Sequence, residues 1–211
     1  MKVRLTRRAA AGVLAAALLG GSAGGVLAAR LHGRAAVRPA ALHGQMTWAA
    51  GTRRAPAFAL RDQSGVLVSP ARLRGAPVVL TFLDSKCTEV CPLEGRELAA
   101  VLQSLPASTR PSLVVVSVDP AGDTPASIAV AMKKWGLAGP WRWHWLRGSQ
   151  SQLAAVWKEY GVEVEPTSND IVHGLALYLI DGSGDERSGY LFPFLRGFMR
   201  SDLAQLAATR T

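Results

Sequence analysis

The stretch "TFLDSKCTEVCPL", residues 81–93, holds both cysteines of the chain, Cys87 and Cys91, in a C-x-x-x-C spacing. It overlaps "PVVLTFL" (77–83), a nearly continuous apolar run rich in β-branched residues, which reads as a buried central strand. Pro92 fits only the first turn of a helix. The stretch therefore predicts a strand ending near Ser85 and a helix starting near Cys87 or Thr88. Thiols at a helix N-terminus lie where free N–H groups and the helix dipole favour a thiolate. Residues i and i+4 share a helix face, so both sulfurs can reach one metal ion or, with adjustment, each other. A staple, a redox couple and a metal clamp are the three uses open to such a pair. A bridge across three residues closes a very small loop and gains little chain entropy, which argues against the staple.

Working outward, "FALRDQSGVLVSPARLRG" (58–75) carries two short alternating runs around "DQSG" and reads as a hairpin. The helix after the cysteines can place Val90, Leu98, Val101 and Leu105 on one face. "SLVVVSV" (112–118) is a second buried strand. Thr124 or Asp123 caps the next helix, Pro125 suits its first position, and Ile128, Ala131, Met132 and Trp135 form its apolar stripe. Leu153, Val156, Trp157 and Tyr160 repeat that spacing. "GLALYLID" (174–181) and "GYLFPF" (189–194) read as antiparallel partners across a "GSG" turn, and a last helix is expected over about 200–209. Strands alternating with helices predict an α/β fold with a central mixed sheet flanked by helices, and the element order is thioredoxin-like.

The net charge of +9 belongs to one end of the chain. Residues 1–54 hold nine Lys and Arg and no Asp or Glu, leaving fifteen basic and fifteen acidic residues in a neutral body. A general nucleic-acid-binding role is therefore disfavoured. After the basic start "MKVRLTRR", Ala9 to Ala29 carry no charge, enough for a helix of about 30 Å, the thickness of a bilayer's hydrocarbon core. Residues 1–29 are expected to be a membrane anchor or a signal segment. Either exports the body, to the periplasm or another compartment outside the cytoplasm. Residues 30–55, rich in Ala, Arg and Gly, read as a flexible linker, with His32, His43 and Met46 as solvated positions. The folded domain is expected over 56–211.

Two thiolates leave a metal site incomplete, and with an imidazole they suit Cu(I). His144, among the tryptophans of "WRWHWL", reads as a packed aromatic neighbour. His173, in "NDIVHGLALYLID", stands just before a core strand, in a loop that a thioredoxin-like sheet turns toward the cysteines. A peroxiredoxin would need proline and threonine where the chain has Leu80 and Asp84. Asp119 and Asp123 fit a turn and a cap better than a hard-metal site.

"TFLDSKCTEVCPLEGREL", "VVVSVDPAGDTPASIA", "LAAVWKEYGV" and "DIVHGLALYLIDGSG" together resemble the Sco family, also called SenC or PrrC, over about residues 56–205. The resemblance implies a membrane-anchored, thioredoxin-like copper metallochaperone that helps assemble the dinuclear copper site of cytochrome c oxidase. Its copper ligands would be Cys87, Cys91 and His173. Its partners would be the copper-bearing oxidase subunit, a copper donor protein and a thiol reductant. The alternatives are a thiol–disulfide oxidoreductase using Cys87 and Cys91, and a redox or copper sensor. Two positions depart from the family pattern. Thr88 replaces a proline, and Val172 replaces an aspartate directly before the histidine, with Asp170 nearby. A carboxylate beside the ligand could support it, so Val172→Asp is expected to tighten copper binding.

Overall fold

"VVLTFL" and "SLVVVS" become β4 (Val78–Leu83) and β5 (Ser112–Ser117), buried along their whole length and paired in parallel. Both faces of these strands are covered, which is why their sequences lack polar alternation. The computed structural model describes residues 41–168 and 170–209. In chain order the other elements are β1 (Met46–Thr47), β2 (Leu60–Arg61), β3 (Leu67–Val68), α1 (Pro70–Leu73), α2 (Val90–Ser104), α3 (Pro125–Lys134), β6 (Trp143–Leu146), α4 (Gln150–Glu159), β7 (Val164–Pro166), β8 (Ile171–His173), β9 (Ala176–Ile180), β10 (Glu186–Leu191) and α5 (Arg196–Ala208). A six-stranded mixed sheet runs β1-β10-β9-β4-β5-β6, with β2–β3 and β7–β8 as separate hairpins.

Helices α2, α3 and α5 cover one face of the sheet, with Leu98, Leu102, Ile128, Met132 and Leu203 in the core. Helix α4 and the β2–β3 hairpin cover the other, through Leu153, Val156, Trp157, Leu60 and Val68. This is the thioredoxin-like α/β sandwich expected. Thr124 caps α3 in a reciprocal box with Ser127, and Ser149 caps α4 with Gln152. Gly95 lets α2 and α3 approach closely, because a Cβ there would lie 2.9 Å from Trp135 Cβ.

Several boundaries differ from the sequence reading. Residues 41–55, expected as linker, belong to the folded body, and the compact unit begins at Ala41. Leu42 packs on the core, β1 pairs with β10, and Arg53 forms an ion pair with the fully buried Glu186. His43 is not a solvated linker residue: its Nδ1 lies 2.6 Å from Asp202, and its ring stacks on Phe198. The outer edge of β10 and three buried carboxylates, Asp185, Glu186 and Asp202, are what hold this segment. It shows no period because only two of its residues are strand. The last helix begins at Arg196, earlier than expected, and β6 adds an edge strand. His144, on that strand, is bound through Nδ1 to Asp62 at 2.9 Å. No helix among the described residues is long and apolar enough to cross a membrane, and both the uncharged segment 9–29 and His32 lie outside them.

Candidate metal centre

Helix α2 starts at Val90, so Cys91 sits in its first turn and Cys87 in the loop before it, a correction to the expected start. Cys87 is half-buried and Cys91 is sealed, with 1% of its surface exposed. The Cys91 thiol donates to the Cys87 sulfur, and the backbone N–H groups of Cys91, Glu89 and Val90 converge on it as well. These bonds outweigh desolvation and pull Cys87 down to about 5, making it a thiolate at neutral pH. The hydrogen bond to Cys87 and then burial push Cys91 far up, so it remains a thiol. Helix-start geometry thus produces one activated sulfur and one protected one.

Three carboxyl groups support this loop: Asp84 and Glu94, to which the sequence reading gave no role, and Asp123, which it offered as a helix cap but which leaves the cap to Thr124. Asp123 accepts from Ser85 N–H at 2.8 Å and from Trp145 Nε1 at 2.9 Å, tying the loop to the core. Asp84 accepts from Lys86 N–H, and burial raises it to about 6, with Asp123, Asp119 and Cys87 adding repulsion. Glu94 is fully buried one turn beyond Cys91 and accepts from Thr81 Oγ1. Desolvation raises it to about 8, so it stays protonated beneath the sulfurs at neutral pH. The sequence signal for Glu94 is one acidic residue at i+3 from Cys91 on an otherwise apolar face. Asp119 accepts from Ala121 and Gly122 N–H, the turn role expected for it.

His173 ends β8, with its Nε2 3.8 Å from Cys91 Sγ. Its Nδ1 lies 3.1 Å from the Gly174 carbonyl. A carbonyl only accepts, so Nδ1 carries the proton and Nε2 turns its lone pair toward the sulfur. Cys87, Cys91, Val172 and His173 all border one cleft of about 250 Å³. The structure therefore brings the three sequence-identified residues to a common space. Among the described residues no three His, Cys, Asp or Glu side chains are placed so that they could hold a metal ion as they stand.

The donor set fits a soft ion. Bonds of about 2.3 Å to sulfur and 2.0 Å to nitrogen, the zinc values, put two trigonal ligands about 3.7 Å apart. The observed 3.8 Å matches that separation. Two thiolates with one imidazole favour Cu(I) over hard cations.

The departure at position 172 reads differently in three dimensions. Val172 is exposed, borders the same cleft as His173 and pairs across the hairpin with Glu165. Asp170 accepts from its neighbour Ile171 N–H. The support expected from a carboxylate is given instead by the Gly174 carbonyl.

The SCO1/SenC family model matches residues 48–198. A putative copper-binding protein of Stutzerimonas stutzeri is 28% identical over 160 residues, covering 72% of this chain and 71% of that one. The mitochondrial SCO2 homolog of Bos taurus is 31% identical over 140 residues, 60% of this chain, which spans about half of the bovine protein. The structure of Bradyrhizobium japonicum ScoI with copper bound superposes with a TM-score of 0.58 at 25% identity, covering 74% of this chain and 98% of that one. The helix-start thiol pair, the sheet order and a match across most of the folded body agree: the chain belongs to the SCO1/SenC family.

Proposed function

We propose that this chain is an exported, membrane-anchored copper metallochaperone that holds Cu(I) through Cys87, Cys91 and His173. It delivers the ion to the dinuclear copper site of cytochrome c oxidase. The observation that carries this reading is His173 Nε2 facing Cys91 Sγ at 3.8 Å, across a cleft that Cys87 also borders. Simple dithiol exchange does not require that imidazole. The copper named for the Stutzerimonas and Bradyrhizobium relatives supports the choice of metal. Copper is cargo here: it arrives from a donor, displaces the Cys91 proton as the thiol becomes a ligand, and leaves to the oxidase subunit. A thiol reductant keeps the pair able to bind, since a disulfide sulfur is a far poorer ligand.

The test is metal analysis of the reduced protein supplied anaerobically with Cu(I). One copper per chain is expected, with loss of binding after the cysteines are oxidised. Equal stoichiometry and affinity for the oxidised protein would overturn the reading.

A second reading, thiol–disulfide exchange with a target protein, is favoured by the pairing of a thiolate at Cys87 with a buried thiol behind it. His173→Ala separates the two readings: copper affinity falls under the first, while dithiol exchange persists under the second.

A further inference from the structure

Strand directions place the start of the folded body beside the cleft. Strand β4 runs toward the cysteines, β9 runs away from that end, β10 returns to it and β1 leaves it again. Residues 41–45 therefore lie at the same end of the sheet as the thiols. Leu191 N–H donates to Gln45 Oε1, and His43 is held by Asp202 and stacked on Phe198. Strands stand about 4.8 Å apart, so β1 is about 10 Å from β9 and about 14 Å from β4. Between them lie the end of β10 and the start of α5.

The exposed apolar residues gather at this end. Among the described residues nine large apolar side chains are exposed. Six of them, Met46, Leu93, Val172, Leu191, Leu195 and Phe198, stand on β1, on the first turns of α2 and α5, on β8, at the end of β10 and just before α5, toward the sheet end that carries the thiols, and Val172 borders the cleft itself. Arg196 at the α5 start is paired with Glu97 of α2, which sets the start of α5 beside the middle of α2, one turn beyond Leu93. An apolar face of this kind marks a contact surface.

The chain itself indicates the occupant. Residues 30–40 join the body at this face and reach at most about 40 Å when extended. They follow the bilayer-length uncharged stretch 9–29. We infer that this end of the domain rests on the lipid surface, so that the cleft opens beside the membrane and exchanges metal with sites lying there. The inference rests on the anchored reading of residues 1–29. Exposed acidic residues at the same end, Glu89, Glu163, Glu165 and Asp170, disfavour dependence on anionic headgroups. The contact is therefore apolar and interfacial.

The experiment uses the full chain in nanodiscs of phosphatidylcholine doped with a gadolinium-chelating lipid, read by amide NMR. A second chain carries a Leu-Ala transmembrane helix in place of residues 9–29. Loss of the signals of 172–175 and 191–198, with 64–68 and 142–146 retained, is the expected result. Uniform loss, or loss at the far edge of the sheet, in the substituted chain overturns the inference and leaves this face to a protein partner. If only the substituted chain associates with nanodiscs and shows the selective loss, the anchor reading fails and the lipid-facing surface stands. Leu191→Ser with Leu195→Ser, both exposed, should restore the signals. An unchanged pattern in that variant also overturns the inference.

Discussion

Cys91 is sealed between α2 and the sheet, whereas His173, 3.8 Å away, stands half-buried on a hairpin of two three-residue strands. The thiol flank is held by Asp123, which ties Ser85 of the cysteine loop to Trp145 of β6, by Asp84, bonded to Lys86 within the loop, and by Glu94, bonded to Thr81 of β4. The imidazole flank is held by the β7–β8 ladder, a bond from Gly174 N–H to Glu163 O, and the Nδ1 contact with Gly174 O. The hairpin reaches the core only through the partly buried Val164 and Ile171, so the second flank is the more lightly held and the more adjustable of the two. In the proposed copper site the sulfurs would define the position, and the imidazole, on the more lightly held flank, would complete it.

The largest test of that asymmetry is Cys91→Ser. It removes a soft ligand from the fixed flank, and hydroxyl oxygen is a poor donor for Cu(I). Copper affinity should fall by more than the roughly 10–100-fold that a lost supporting partner costs. His173→Ala, on the adjustable flank, should cost less, about 10–100-fold, and leave both thiols titratable. Competition against a Cu(I) chelator measures both. A histidine variant weaker than the cysteine variant would reverse the assignment of the flanks.

Glu94 tests whether the fixed flank is built around a neutral acid. Its folded pKa of about 8 lies above its ordinary 4.5, so the folded protein keeps a proton that the unfolded chain releases. Its contribution to stability is therefore full below about pH 4.5 and is lost as pH rises through about 8. Glu94→Gln keeps an acceptor for Thr81 and removes the titration. Metal-free urea midpoints of the native protein should drop between acid and mildly alkaline pH, and those of the variant should drop less. Parallel midpoints would mean that Glu94 is ionised in the folded state.

The fold was legible where burial dictated residue type. The fully apolar β4 and β5, the Thr124-Pro125 helix start and the stripes of α3 and α4 could all be read from spacing. Strand β1 could not, because two residues carry no period, and its hold comes from Glu186 and Asp202, more than 130 positions away. Cys87, Cys91 and His173 were visible as residue types with placement. The support of His173 was not, since a main-chain carbonyl leaves no mark in the sequence.

That carbonyl makes Val172→Asp the finest probe of the adjustable flank. From the sequence, a carboxylate at 172 should tighten copper binding by supporting the imidazole. The structure removes that reason. His173 Nδ1 already donates to Gly174 O at 3.1 Å, so no support is missing. Position 172 pairs with Glu165 on the opposite strand. An aspartate there would stand directly across from Glu165, and like charges on facing strand positions repel. The hairpin, weakened slightly, would hold His173 no better. Copper affinity of Val172→Asp should therefore change by less than about tenfold, below the 10–100-fold of a true supporting group. A gain beyond tenfold in a chelator competition would show that a carboxylate at 172, on the wall of the cleft, supports the site despite Glu165 across the hairpin.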